Sequence, residues 1–196
     1  MILNRLGNKT KIAQEIQKHF PVHDAYFEPF FGAGGMFFNK PKVSHNFLND
    51  VNGDVYNLFR TLLDSKDELV WWIENTPIDE KLFKEWYSGK REKTNVHNAI
   101  RFLFLSNFAL YGRGSTLRIG LVNPKRIILE NINYTFRHIK YAYFFNCDFR
   151  EIFKKIDYKT NIERCFVYCD PPYLNTVNNY GNSFTEQDSF ELFETL

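Results

Sequence analysis

The chain is short of the features that would place it outside the cytoplasm or give it a metal. Its three cysteines, Cys147, Cys165 and Cys169, are an odd number, which argues against a disulfide framework. Cys165 and Cys169 lie in an apolar strand-like run, where a thiol serves as a small buried hydrophobe. Their spacing in an extended strand would turn both sulfurs to one face, a poor start for a zinc site. Long hydrophobic stretches are also missing: the most apolar, such as Ile100 to Leu105, is short and interrupted by Arg101, and Met1 to Arg5 carries no signal-peptide core. These absences predict no membrane association and a cytoplasmic location. The dinucleotide spelling G-x-G-x-x-G is likewise missing, which sets aside a nicotinamide cofactor.

The 196 residues suffice for one substantial core with a small appended lobe. A formal charge of +2 hides an uneven distribution. Between Pro77 and Lys140 twelve basic residues stand against five acidic ones, a surplus of seven, so the rest of the chain is net negative. Such a basic block suits a phosphate backbone or, equally, a solvated helical surface.

Apolar spacing predicts a helix over 10–19 and strands at 25–30 and 46–49. A helix from about Asn52 should bury Val55, Leu58, Phe59 and Leu62. This βαβα start is the opening of a doubly wound sheet. From 65 to 140 the pattern is helical and aromatic, and its tryptophans are assigned to packing. Strand character returns at 142–147 and 164–169, around a helix at 149–155, and a last helix begins near Glu186. The uniformly apolar Cys165 to Cys169 reads as a central parallel strand buried on both faces.

Two strand ends carry the chemistry. After strand one, Phe31-Gly32-Ala33-Gly34-Gly35 lets the backbone approach a ligand, and Met36 to Phe38 can open a helix whose amino end would favour negative charge. Asp50, at the end of strand two, stands where nucleotide-binding α/β proteins place an acid on ribose hydroxyls. After the last strand, Asp170-Pro171-Pro172-Tyr173 joins a carboxylate, two prolines that remove backbone donors, and an aromatic face. Taken alone this tetrapeptide fits an ordinary turn as well as a site for a planar amino group.

Together the motifs resemble a known family. Phe30-Phe31-Gly32-Ala33-Gly34 matches the F-x-G-x-G of S-adenosylmethionine-dependent amino-methyltransferases, and Asp170 to Tyr173 matches their D-P-P-Y. In detail the chain resembles the D12-class, Dam-like DNA adenine N6-methyltransferases. The likeness includes Gly7-Asn8-Lys9 at a G-G-K position, Glu28-Pro29-Phe30, Asn49-Asp50-Val51-Asn52 and Asn182-Ser183-Phe184-Thr185. It implies an α/β, Rossmann-like methyltransferase sheet formed by 1–64 and 141–196, with 65–140 as an inserted, mainly helical target-recognition lobe. It also implies S-adenosylmethionine as cofactor, bound by Lys9, Phe30, Gly32, Gly34, Asp50, Asp148, Phe149 and Asp170. Asp148 serves equally well as a helix cap. Asp170, Pro171, Pro172 and Tyr173 would be catalytic: Tyr173 stacks on an adenine swung out of duplex DNA, while the Asp170 carboxylate and Pro171 carbonyl accept its N6 hydrogens. Tyr111, Arg113 and Arg118, in a glycine-flanked loop, are candidates for DNA contact, although they do not align with the family's hairpin.

The family domain continues through further strands, so the last strand here is expected to show an open edge. That predicts a truncated product, a partner chain supplying strands, or a homo-oligomer. Three readings stay open: a DNA adenine methyltransferase, an RNA base methyltransferase, and a non-catalytic remnant that binds cofactor or DNA.

Overall fold

The computed structural model describes residues 1–5, 7–109, 114–157, 162–174 and 184–196. Four parallel strands, β1 (Ala25–Glu28), β2 (His45–Asn49), β3 (Tyr143–Phe145) and β4 (Cys165–Val167), form one sheet in the order β3-β2-β1-β4. The chain therefore steps outward from β1 through β2 to β3 and then returns to the other side of β1. The reversal between β1 and β4 is a topological switch point, where open parallel sheets form a crevice beyond their carboxyl ends. Both sequence motifs follow the two strands that flank it.

Phe27 of β1 stacks on Phe47 of β2 with ring centroids 4.5 Å apart, and Phe47 on Tyr143 of β3 at 5.1 Å. This aromatic row fixes the register of three neighbours, because a one-residue slip would turn every ring to the opposite face. On the helical side, α2 (Gly53–Asp64) is capped by the Asn52 side chain, which accepts from the amides of Asp54 and Val55. Its buried face is Val55, Leu58, Phe59 and Leu62, the spacing expected of one helical stripe. Each such side chain contributes about 1.5–3 kcal/mol by leaving water. Thr94 caps α5 (Asn95–Phe108), which packs along α2 and adds Ile100, Leu103, Phe104 and Phe108 to the same apolar cluster. The helices α3 (Lys66–Asn75), α4 (Glu80–Tyr87) and α6 (Pro124–Ile139) complete this layer.

Several basic residues of the 77–140 block are consumed in structural pairs. Lys84 pairs with Glu80, Lys90 with Glu85, Arg91 with Asp54, and Arg126 with Glu130. Arg101 is buried and donates to the Trp86 carbonyl at 3.1 Å. Pairs made within the block leave its surplus unchanged; Arg91, bonded to Asp54 outside it, and the buried Arg101 reduce it.

Three local expectations are corrected. The first helix is reduced to a 3-10 turn, Lys9–Lys11, followed by α1 (Ala13–Gln17). No α-helix opens at Met36: a 3-10 turn, Phe37–Asn39, ends at Lys40, which is extended (ψ 158°). Pro41 follows, and the residue before a proline is driven out of the helical region. The strand read as central, β4, pairs only with β1 among the described residues, and Cys165, Phe166 and Val167 are all half-buried. Beyond it, α7 (Phe149–Ile152) and α8 (Glu186–Thr195) pack together, while Phe190 and Phe193 of α8 remain 69% and 77% exposed.

Candidate active site

The loop after β1 is shaped by glycines that no other residue replaces cheaply. Gly34 has φ +71°, and a Cβ there would lie 2.5 Å from the Phe38 ring and 2.6 Å from Phe31. Gly35 is closed off differently: its Cβ would lie 1.9 Å from Asn8 Oδ1. The amino-terminal Gly7-Asn8-Lys9 segment thus sits directly on the glycine loop. Around Gly32 there is open space, and this residue faces the cleft.

Asp50 holds that loop from below. Its carboxylate accepts from the Gly32 amide at 2.7 Å and from the Asn52 amide at 2.8 Å. Burial pushes its pKa up, against the pull of Arg5 and the two amides. Each oxygen keeps a further lone pair for a ligand hydroxyl. The expected helix terminus does not exist, so binding of negative charge by its dipole falls away. Backbone amides of this loop instead serve an acid of the protein itself.

Asn49, which the sequence places in the acidic motif with no role of its own, ties three strand ends together. It donates to the carbonyls of Pro29 (3.0 Å) and Cys147 (2.9 Å) and accepts from the Cys147 amide at 3.0 Å. Phe31 in turn donates to the Asn49 carbonyl at 2.8 Å. Only its place beside Asp50 marked it in the sequence.

The opposite wall is Asp170-Pro171-Pro172-Tyr173. The Tyr168 amide extends the β1–β4 ladder to the Phe27 carbonyl at 2.8 Å and sets the exit direction of this loop. Lys9 reaches across the cleft, its Nζ 2.6 Å from Asp170 Oδ2 and 3.0 Å from the Gly7 carbonyl. Burial alone would lower the lysine's pKa, but bonding to Asp170 and Tyr173 outweighs it and the net shift is upward. Tyr173 Oη donates to Asp170 Oδ1 over a long 3.3 Å, and its ring is more than half exposed.

A third group closes one end of the cleft. Phe30, Phe149 and Phe184 meet with ring centroids 5.5–6.1 Å apart, a surface suited to a flat ring. Phe184 belongs to the Asn182-Ser183-Phe184-Thr185 likeness, which by itself assigns it no role. Asp148 caps α7 by accepting from the Arg150 amide at 3.0 Å, and its carboxylate pairs with the Arg150 guanidinium. Arg150, missed by sequence reasoning, joins Asp148 to Asp188 and Glu191 of α8. Its hydrogen bond, with those from Thr185, holds Asp188 down at about 2.

Glu28, at the tip of β1, is buried in the floor. It accepts from Tyr26 Oη at 2.8 Å, and loss of water pushes its pKa up to about 8. Burial likewise lowers Lys40 to about 8.

All these groups line one cleft of about 790 Å³: the glycine loop and Asp50, Lys9, the Phe30 and Phe149 rings, and Asp170 to Tyr173. Of the residues singled out for DNA, Tyr111 and Arg113 lie outside the described residues. Arg118 is exposed; its amide donates to the Phe108 carbonyl at 2.7 Å beside an antiparallel bridge, Ala109 to Leu117.

Comparison with known proteins agrees with the two motifs and covers the region between them. The Retron Ec67 DNA adenine methylase of Escherichia coli is 26% identical over 214 residues, spanning the whole of this chain and 71% of the relative. The DNA adenine methylase of Haemophilus influenzae is 29% identical over 201 residues, 91% of this chain and 67% of the relative. That of Escherichia coli K12 is 28% identical over 206 residues, 96% and 72% respectively. The family of D12 class N6 adenine-specific DNA methyltransferases matches residues 6–196. With both motifs opening into a single cleft and the match running through nearly all of the sequence, the chain belongs to the D12 class of N6 adenine-specific DNA methyltransferases.

Proposed function

We propose that the cleft binds S-adenosylmethionine against its β1 wall and an adenine swung out of duplex DNA against its β4 wall. The observation that carries this reading is the adjacency of β1 and β4, whose ends open the glycine loop and Asp170 into one space of about 790 Å³. The residues fit the cofactor's chemistry. Phe30 and Phe149 offer faces to an adenine ring, Asp50 retains acceptor capacity for ribose hydroxyls, and Gly32 keeps a side chain out of the way, whereas Gly34 makes room for the Phe31 and Phe38 rings behind the loop and does not itself line the cleft. The carboxylates of Asp170 and Asp50 line the space between the walls, and Lys9 and Asp148 border it. When bound, S-adenosylmethionine supplies a methyl group activated by a sulfonium.

Asp170, Pro171, Pro172 and Tyr173 act on the target base. The carboxylate of Asp170 and the carbonyl of Pro171 accept the two N6 hydrogens, and Tyr173 stacks on the ring. Pro172 stiffens the loop so that these groups do not have to reorganise. Orientation of the nitrogen toward the glycine-loop side is the main catalytic contribution.

Residues 65–140 serve as the recognition lobe, with Arg118 and the loop bearing Tyr111 and Arg113 on the duplex, and 1–64 with 141–196 as the methyltransferase unit. The open edge of β4 and the exposed Phe190 and Phe193 take up further polypeptide, either strands of a second chain or a second copy. Size-exclusion with light scattering checks this part; a well-behaved monomer with a cooperative melt contradicts it.

The chemical part is tested with labelled S-adenosylmethionine and either duplex DNA or structured RNA, beside Asp170→Ala. Label on duplex DNA that disappears in the variant supports the reading. Label on RNA alone, or cofactor binding without transfer to either, overturns it.

A further inference from the structure

We infer that Lys9 is a positioning residue for Asp170, clamping one carboxylate oxygen so that the other is presented alone to the amino group of the target base. This rests on the assignment of Asp170 to that amino group.

The two oxygens of Asp170 are not equivalent. Oδ2 makes a 2.6 Å charged bond to Lys9 Nζ, whereas Oδ1 has Tyr173 Oη at 3.3 Å. The first is short and charge-assisted; the second lies at the weak end of hydrogen bonding and is easily exchanged. An incoming amino group can replace the tyrosine hydroxyl at Oδ1 without disturbing Oδ2.

Lys9 is itself held for this task. Its side chain is 17% exposed, and its ammonium also donates to the Gly7 carbonyl at 3.0 Å. Asn8 Oδ1 accepts from the amide and hydroxyl of Thr10, at 3.2 and 2.8 Å, and so shapes the turn that aims Lys9 across the cleft. Asn8 can sit there because Gly35 has no Cβ to meet it. The ammonium lies 5.3 Å from the centroid of the Tyr173 ring, so one cation steadies both the carboxylate and the stacking surface. The glycine loop on one wall therefore sets the geometry of the acid on the other through Asn8 and Lys9.

Among the described residues, the charged and titratable groups facing Asp170 are Lys9 from the amino-terminal turn, Glu28 from β1, Tyr168 after β4, and Tyr173 in its own loop. Removing Lys9 takes away the cation bonded to Oδ2, which favours a carboxyl group turned from acceptor to donor.

The test uses the full chain and two variants, Lys9→Met and Lys9→Arg, with kcat, both KM values and the pH dependence of kcat from pH 5 to 9. Lys9→Met should lose about 10²-fold in kcat, keep the cofactor KM within about threefold, and move the acid limb to higher pH; Lys9→Arg should restore most of kcat and the original limb. A raised cofactor KM with unchanged kcat overturns the proposal, as does equal loss in both variants with an unmoved pH profile. Carbon-13 titration of the Asp170 carboxyl in wild type and Lys9→Met reads the clamp without turnover. An unchanged titration would refute the clamp even if the wild-type chain transferred no methyl group, an outcome that by itself counts against the assigned reaction instead.

Discussion

The two walls of the cleft are built on different principles. The β1 wall is over-determined: Tyr26, Phe27 and Phe31 are at most 2% exposed, Asp50 is fixed by two amides, and Asn49 staples three strand ends. The β4 wall hangs from a three-residue edge strand whose side chains are all half-buried, and its acid is steadied by a lysine 161 residues away in the chain. On the proposed reading, the first surface keeps one shape, whereas the second admits and releases a base that arrives attached to a polymer, so that exchangeable bonds lie where the proposed guest moves.

The contrast can be pressed hardest at Glu28, in the floor between the walls. Because its folded pKa is raised to about 8 from 4.5, the folded state holds a proton that the unfolded state has lost between those values, so stability falls as pH rises through that window. Glu28→Gln should remove this decline and stabilise the protein by a few kcal/mol above pH 8, at about 1.4 kcal/mol per pKa unit, as read by urea unfolding at pH 5 and pH 8. Lys40, lowered to about 8 from 10.5, has the opposite sign: stability is regained between those values, placing the wild-type minimum near pH 8. A flat wild-type profile would show that the floor is wet.

On the rigid wall, Gly34→Ala should cost about 2–3 kcal/mol, because it places a Cβ at positive φ against two phenylalanine rings. Chemical denaturation measures it; a loss below about 0.5 kcal/mol would mean that the loop is more yielding than the geometry says. On the looser side, Arg150→Ala should cost about 1–2 kcal/mol by freeing α8 from α7. Hydrogen exchange should quicken in α8 and leave β1 unchanged. Equal acceleration in both would erase the distinction between the walls. The smallest effect is expected at the exposed face of α8: Phe190→Ser should change monomer stability by about 0.5 kcal/mol or less, and a larger loss would show that the ring is covered in solution.

What could be read from the sequence follows range. Asp170 to Tyr173, the glycine loop and Asp50 were legible because each is a short run with a local physical reason. The helix at Gly53 was announced by Asn52 and its apolar stripe. The failed helix at Met36 had its stop signal in Pro41, which was passed over. Lys9 was placed on the cofactor side, while its bond to Asp170 spans 161 residues and leaves no local trace. Arg150 looked like one more surface charge, and the half-burial of β4 was hidden by its wholly apolar spelling, whereas its open edge was expected from the resemblance. Arg101, counted toward a basic surface, is buried among the helices, since charge counts carry no depth.

Transfer from a methyl donor on the β1 wall to the N6 of an adenine on the β4 wall is checked by nucleoside mass spectrometry of duplex DNA after incubation with the chain and S-adenosylmethionine, alongside calorimetric binding of the cofactor to wild type and Asp170→Ala. The wild type should yield N6-methyldeoxyadenosine, the variant should fall by at least about 10³-fold, and their cofactor affinities should lie within about tenfold of each other. Methylation at another base or atom, or undiminished product from Asp170→Ala, would contradict that transfer.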